Sequence, residues 1–125
     1  MNIPETLQYT QDHEWIKIDA DVATIGITDF AQKELGEIVF LEIDTLDEEL
    51  EKEEIFGTIE AVKTVSDLFM PITGIVLEIN KDLDDNPELI NESPYDKGWI
   101  IKVKLNQEVD LKGLLSSSAY KNLIS

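Results

Sequence analysis

Ile55-Phe56-Gly57-Thr58-Ile59, then Glu60-Ala61-Val62-Lys63-Thr64, then Val65-Ser66-Asp67-Leu68-Phe69: two strand-like stretches flank a short connecting segment. β-Branched and aromatic residues fill both arms, as a pleated, half-buried surface favours, so the stretch predicts a hairpin with Lys63 near its tip. Pro71 and Gly74 end the second arm, and Ile75-Val76-Leu77-Glu78-Ile79 starts another strand before a loop over Lys81 to Pro94. A lysine in that place is a four-carbon tether ending in an amine. Acylation of the amine removes its charge and attaches a group that can swing. Position alone leaves the plainer reading open, that Lys63 is one of ten surface lysines in a polar turn.

Working outward toward the N-terminus, Ile38-Val39-Phe40-Leu41-Glu42-Ile43 is a nearly continuous apolar run, most simply a core strand of a sandwich or barrel. Between it and the hairpin, Asp44 to Glu54 reads as a solvated acidic connection. Before it, Thr28 can cap a helix over Asp29 to Leu35 by accepting an orphan amide hydrogen bond, and Gly36 supplies the stop. Trp15 to Ile18 and Val22 to Ile27 form an opening hairpin turned at Asp19-Ala20-Asp21. In the other direction, Gly98 leads into a strand over Trp99 to Leu105 with one wet face. From Val109 to Ile124 the spacing suits a short helix or two around Gly113, with Ser116 to Ser118 as caps. No linker divides the chain, which reads as one domain over 1–125.

Composition narrows the function. The 125 residues carry 10 basic side chains, all lysine, against 27 acidic ones, a formal net charge of −17. Such a surface repels phosphate backbones and anionic lipid, which disfavours nucleic acid and membrane as partners. The hydrophobic share of 42% supports a packed core. Met1 to Thr10 lacks the basic and apolar regions of a secretion signal and no later run approaches a membrane span, so a cytoplasmic location is expected. The absence of cysteine excludes disulfides, thiolate metal sites and a thiol nucleophile. His13 is the single imidazole, and no serine sits in a nucleophile elbow, so no catalytic residues are expected; His13 is expected to order the first strand or lie partly exposed. Asp82-Leu83-Asp84-Asp85-Asn86 opens like a calcium loop, but Pro87 replaces its glycine and Ser93 its bidentate glutamate, so no metal site is expected.

Gly57 through Gly74, with Glu60, Lys63, Pro71 and Gly74 at matching spacing, resembles the lipoyl-attachment segment of the H protein of the glycine cleavage system. His13-Glu14-Trp15, Gly26-Ile27-Thr28, Leu35-Gly36, Ile38-Val39-Phe40, Leu89-Ile90-Asn91, Ser93-Pro94-Tyr95 and Gly98-Trp99 extend the resemblance over nearly the whole chain. Biotin carriers usually set their lysine between methionines, and 2-oxoacid dehydrogenase lipoyl domains in Asp-Lys-Ala; here Val62 and Thr64 flank it.

The resemblance implies a mainly β barrel-sandwich hybrid with short helices, one at the C-terminus, acting as a non-catalytic carrier. Lipoate would be amide-linked to Lys63. The arm would take the aminomethyl group of glycine from a pyridoxal-phosphate decarboxylase to a tetrahydrofolate-dependent aminomethyltransferase, and dihydrolipoamide dehydrogenase would reoxidise it. A related carrier that relays lipoate to other complexes is the alternative. With no cysteine in the chain, no protein thiol competes with the working sulfurs. The same resemblance makes Glu14 and Asp67 candidates for a pocket that pairs with the loaded amine, and Gly57, Glu60 and Gly74 candidates for recognition by a lipoylating enzyme. Asp47 and Glu53 stand where the family often has turn glycines. Phe69-Met70 replaces a commoner Tyr-Ser, a change expected to act on partner contacts.

Overall fold

The computed structural model describes residues 1–106 and 111–125. Its elements run β1 (Gln8–Tyr9), β2 (Glu14–Asp19), β3 (Val22–Ile27), α1 (Asp29–Leu35), β4 (Ile38–Glu42), β5 (Glu49–Leu50), β6 (Ile55–Ala61), β7 (Val65–Phe69), β8 (Gly74–Ile79), α2 (Asp82–Asp85), α3 (Leu89–Glu92), β9 (Ile101–Lys104) and α4 (Ser117–Ile124). One sheet has the order β1-β2-β3-β9-β8-β5 and the other β4-β6-β7, with every pairing antiparallel. Ile16, Ile25, Val76 and Val103 of the larger sheet meet Phe56, Ile59 and Leu68 of the smaller in one buried cluster. Side chains alternate across a strand, so each sheet gives one apolar face to this shared core, the arrangement of a barrel-sandwich hybrid. A second cluster of Ile3, Leu7, Tyr9, Trp15 and Tyr120 lies under the C-terminal helix.

Local signals place the elements around the hairpin. Thr28 Oγ1 accepts from Ala31 N at 3.2 Å, and Gly36 ends α1 with φ 82° while its N–H donates to Gln32 O, as the capping residues predict. The opening hairpin turns tightly, with Asp19 paired to Val22 and Ala20 at φ 57°. At the other end, Ser116 Oγ accepts from Ala119 N at 3.1 Å and starts α4; Val109 and Asp110, where the tail was expected to turn helical, lie outside the described residues.

Several expectations change. The run from Ile38 is not a core strand: β4 pairs with β6 alone, and Val39 is 41% and Phe40 53% exposed while Ile38 is buried. A register shift between Ile38 and Phe40 also breaks the alternation that would have turned one face inward. The acidic connection holds structure of its own, because β5 pairs with β8, Leu50 is buried and Thr45 Oγ1 donates to Phe56 O at 2.8 Å. Asp47 and Glu53 keep the left-handed turns of glycine, at φ 68° and 76°, for about 1 kcal/mol each. Within the expected loop from Lys81 to Pro94 lie α2 and α3, and Gly74 is the first residue of β8. Met70 is fully buried and cannot meet a partner. β1 was not expected; its Tyr9 bridges to Leu115 ahead of α4.

Candidate functional site

At the end of β6–β7, Glu60 pairs with Val65 and Ala61 N donates to Thr64 O at 2.8 Å. Val62 and Lys63 are therefore the outermost residues of the turn, and both side chains are exposed. The tip is also moored. Val62 N donates to Glu37 O at 3.0 Å, and the segment carrying Glu37 is held by one side chain. Asn91 of α3 accepts from Ile38 N at 2.9 Å and donates to Gly36 O at 2.8 Å and Gln32 Oε1 at 2.9 Å. A Cβ at Gly36 would stand 3.6 Å from Lys63 Cε, so the lysine stem lies across the bare end of α1.

Beside the hairpin a cleft of about 390 Å³ opens between α1, the β6–β7 pair and the start of β2. Ile27, Phe30, Leu35, Ile59 and Leu68 give it apolar walls, and Asp12, Glu14, Glu34 and Asp67 give it carboxylates. No lysine lines it. Glu14 is 2% exposed; its Oε2 accepts from Phe69 N at 3.1 Å and its Oε1 from Thr10 Oγ1 at 3.3 Å. Burial, with the nearby charge of Asp12, lifts its pKa well above the ordinary glutamate value. Asp67, itself exposed, lines the same cleft from β7, opposite Thr58 of β6. Burial lowers the pKa of His13 against the opposing pull of Asp12 and Glu34, so the ring is neutral at pH 7.

The structure thus brings Glu14 and Asp67 together and leaves Lys63 outside the cleft, no more than roughly 13 Å of extended backbone from Asp67. Glu60 is exposed on the hairpin's outer face. Gly57 and Gly74 lie away from the cleft at close backbone approaches. A Cβ at Gly57 would meet Glu42 O at 2.7 Å, and one at Gly74 would meet Lys104 O at 2.7 Å and overlap Val103. Asp12, Phe30 and Glu34 were not singled out from sequence. Phe30 and Glu34 are four apart in a predicted helix, and with Ala31 and Leu35 they form one face, the signal that could have found them. His13 is partly exposed, one of the two placements expected of it; its ring bonds to Tyr120 of the C-terminal helix, a partner not foreseen, and also lines the cleft. Among the described residues no group of three or more His, Cys, Asp or Glu could hold a metal ion, and no helix is long and apolar enough to cross a membrane.

Comparison with known proteins adds independent findings. The family model described as glycine cleavage H-protein matches residues 7–125. A glycine cleavage system H protein of Staphylococcus carnosus is 52% identical over 124 residues, spanning 99% of this chain and 98% of its own. One of Bacteroides fragilis is 52% identical over 125 residues, spanning 100% and 99%. The crystal structure of a glycine cleavage system H protein from Mycobacterium marinum superposes with a TM-score of 0.87 at 36% identity, over 96% of this chain and 97% of that one.

Proposed function

This chain belongs to the glycine cleavage H-protein family, and from that membership we propose that Lys63 is the residue it uses to carry lipoate. The protein is a lipoyl-carrying shuttle of glycine cleavage, with lipoate as its cofactor and the glycine decarboxylase and the aminomethyltransferase as its partners. A role in relaying lipoate to other complexes is not favoured, since both relatives are named for glycine cleavage. The observation that carries the assignment to Lys63 is the exposed two-residue tip standing beside an apolar-walled, acid-lined cleft. That cleft suits an arm with an apolar chain and a cationic end.

Lipoate supplies a pair of sulfurs that open and reclose, and the partner enzymes supply the catalysis; the rest is positioning by this chain. The moored hairpin aims the lysine, and its stem gives the reach. Ile59 and Leu68 exclude water from the cleft wall, while Glu14 and Asp67 are placed to accept hydrogen bonds from an ammonium group. Burial raises the Glu14 pKa and a cation entering the cleft would pull it back down, so docking should tighten as pH rises through the Glu14 titration. Glu60 offers an exposed carboxylate to a lipoylating enzyme, with Gly57 and Gly74 setting the shape of the strands behind it. Dihydrolipoamide dehydrogenase completes the partner set, residues 1–125 act as one carrier unit, and the site of action is the cytoplasm.

Intact mass and peptide mapping of protein from its native cell test the assignment. A lipoyl increment on the peptide containing Lys63 is expected. Lys63→Arg abolishes both the increment and turnover with purified partners while the thermal transition stays put, because the side chain is exposed. An increment on another lysine, or turnover retained in the variant, overturns it.

A further inference from the structure

His13 enters β2 with a left-handed backbone, φ 65°, a conformation that persists in a residue of this kind only where its surroundings determine it. Two backbone bonds hold it: His13 N donates to Thr10 O at 3.2 Å, and Thr28 N donates to His13 O at 3.0 Å. The imidazole is thereby set between the cleft, which it lines, and α4, where its Nδ1 lies 2.9 Å from the Tyr120 hydroxyl. The same hydroxyl is 2.7 Å from Thr28 Oγ1. Thr28 caps α1, the helix whose Phe30, Ala31, Glu34 and Leu35 form a wall of the cleft. One hydroxyl from the C-terminal helix therefore touches the groups that set two sides of the site.

The direction of its proton follows from satisfaction of donors. Thr28 is fully buried, and its oxygen already accepts from Ala31 N. Among the described residues the Thr28 hydroxyl proton has one acceptor, the Tyr120 oxygen. If Thr28 donates there, Tyr120 donates onward to His13 Nδ1 and every proton is used. The reverse chain, from Nδ1–H to Tyr120 to Thr28, strands the Thr28 proton in the interior. Burial also raises the pKa of Tyr120 above its ordinary value, so it carries its proton at neutral pH.

We propose that Tyr120 is a positioning residue of the carrier site: its hydroxyl donates to Nδ1 and holds His13 neutral with the proton on Nε2. The cleft then presents a hydrogen-bond donor there and no positive charge. The titratable groups around the ring are Asp12 and Glu14 beside it, Glu34 on α1, Asp67 on β7, and Glu53 next to Asp12. Asp12 and Glu34 favour an imidazolium while burial opposes it, and a donor on Nδ1 adds to that opposition. An imidazolium would pair with these carboxylates and compete with a cationic arm; the proposal in that respect rests on the carrier reading.

Nitrogen-15 spectra of the unlipoylated protein test it without any variant, since the chain has one histidine. Above its titration, Nδ1 is expected at the unprotonated position and Nε2 at the protonated one; the opposite assignment overturns the proposal. Tyr120→Phe keeps the ring stacked on Tyr9, 4.8 Å away, and removes only the donor. Its expected effect is a several-fold larger protonated fraction of His13 at a given pH, and an unchanged titration overturns the role of Tyr120. In lipoylated protein the ratio of variant to wild-type turnover cancels the partners' own pH dependence. It falls as pH drops through the raised His13 titration, whereas a uniform loss at every pH marks a merely structural residue. Failure of the carrier reading itself leaves both nitrogen measurements intact, so the two failures are distinguishable.

Discussion

Glu14 is a carboxyl group withdrawn from water with two donors, no cation and another acid nearby. Its folded pKa lies above its unfolded one, so below the ordinary glutamate range neither state is charged and burial costs little. As pH rises through that range the unfolded chain releases a proton that the native state retains, and stability falls. Glu14→Gln removes this dependence. Its amide oxygen can still accept from Phe69 N, but its amino group would face a Thr10 hydroxyl that already accepts from Asp12 N and Glu14 N and loses its own acceptor. Relative to wild type the variant should therefore gain stability as pH rises from 4 to 7; denaturant unfolding at both pH values checks this, and a difference that does not change with pH refutes it. Lipoylation should be unaffected, while the amine-loaded protein should lose its cargo faster, and an unchanged lifetime counts against the pocket. A group retained at a cost to stability fits the proposed role of Glu14 in docking a cation.

At the scale of elements, β4 separates what its sequence carries from what packing decides. Ile38→Ala should cost about 2–4 kcal/mol, since Ile38 is 1% exposed, whereas Phe40→Ser should stay within about 0.5 kcal/mol. Equilibrium unfolding of both variants measures the contrast, and equal losses would restore the expected core strand. An apolar run has the same composition whether its strand is central or at an edge, so Phe40 could not be placed from sequence. Thr28 and Gly36 could, because a cap and a stop act within a few residues, and the β6–β7 hairpin could for the same reason. Glu14 and Asp67 were legible as a pair through family resemblance alone. Asp12 and Glu34 reach the cleft from different elements, and Asn91 moors the hairpin from a segment read as loop. The helix spacing marks Glu34 as sharing a face with Phe30, but that this face meets Asp12 and the hairpin is set by tertiary packing and leaves no local trace.

Over the whole molecule, a net charge of −17 sets a self-repulsion that ion pairs such as Lys33–Asp29 and Lys102–Glu78, at 3.6 and 3.7 Å among the described residues, relieve only slightly. Raising salt from about 10 mM to about 300 mM should therefore lift the thermal midpoint by several degrees as the Debye length shrinks. A midpoint that falls with salt would mean that attraction outweighs repulsion in the native state. Sheet order has a different consequence, one for synthesis. β9 is hydrogen-bonded between β3 and β8, so on the ribosome the larger sheet stays open until the chain has emerged through Lys104. β6 and β7 are joined directly and can pair much earlier. A nascent chain can thus display Lys63 on a formed hairpin while the enclosing sheet is still in two pieces, and if Lys63 is the lipoylated residue, as proposed, a stalled or prematurely terminated chain would offer the modifying machinery a target attached to no finished carrier.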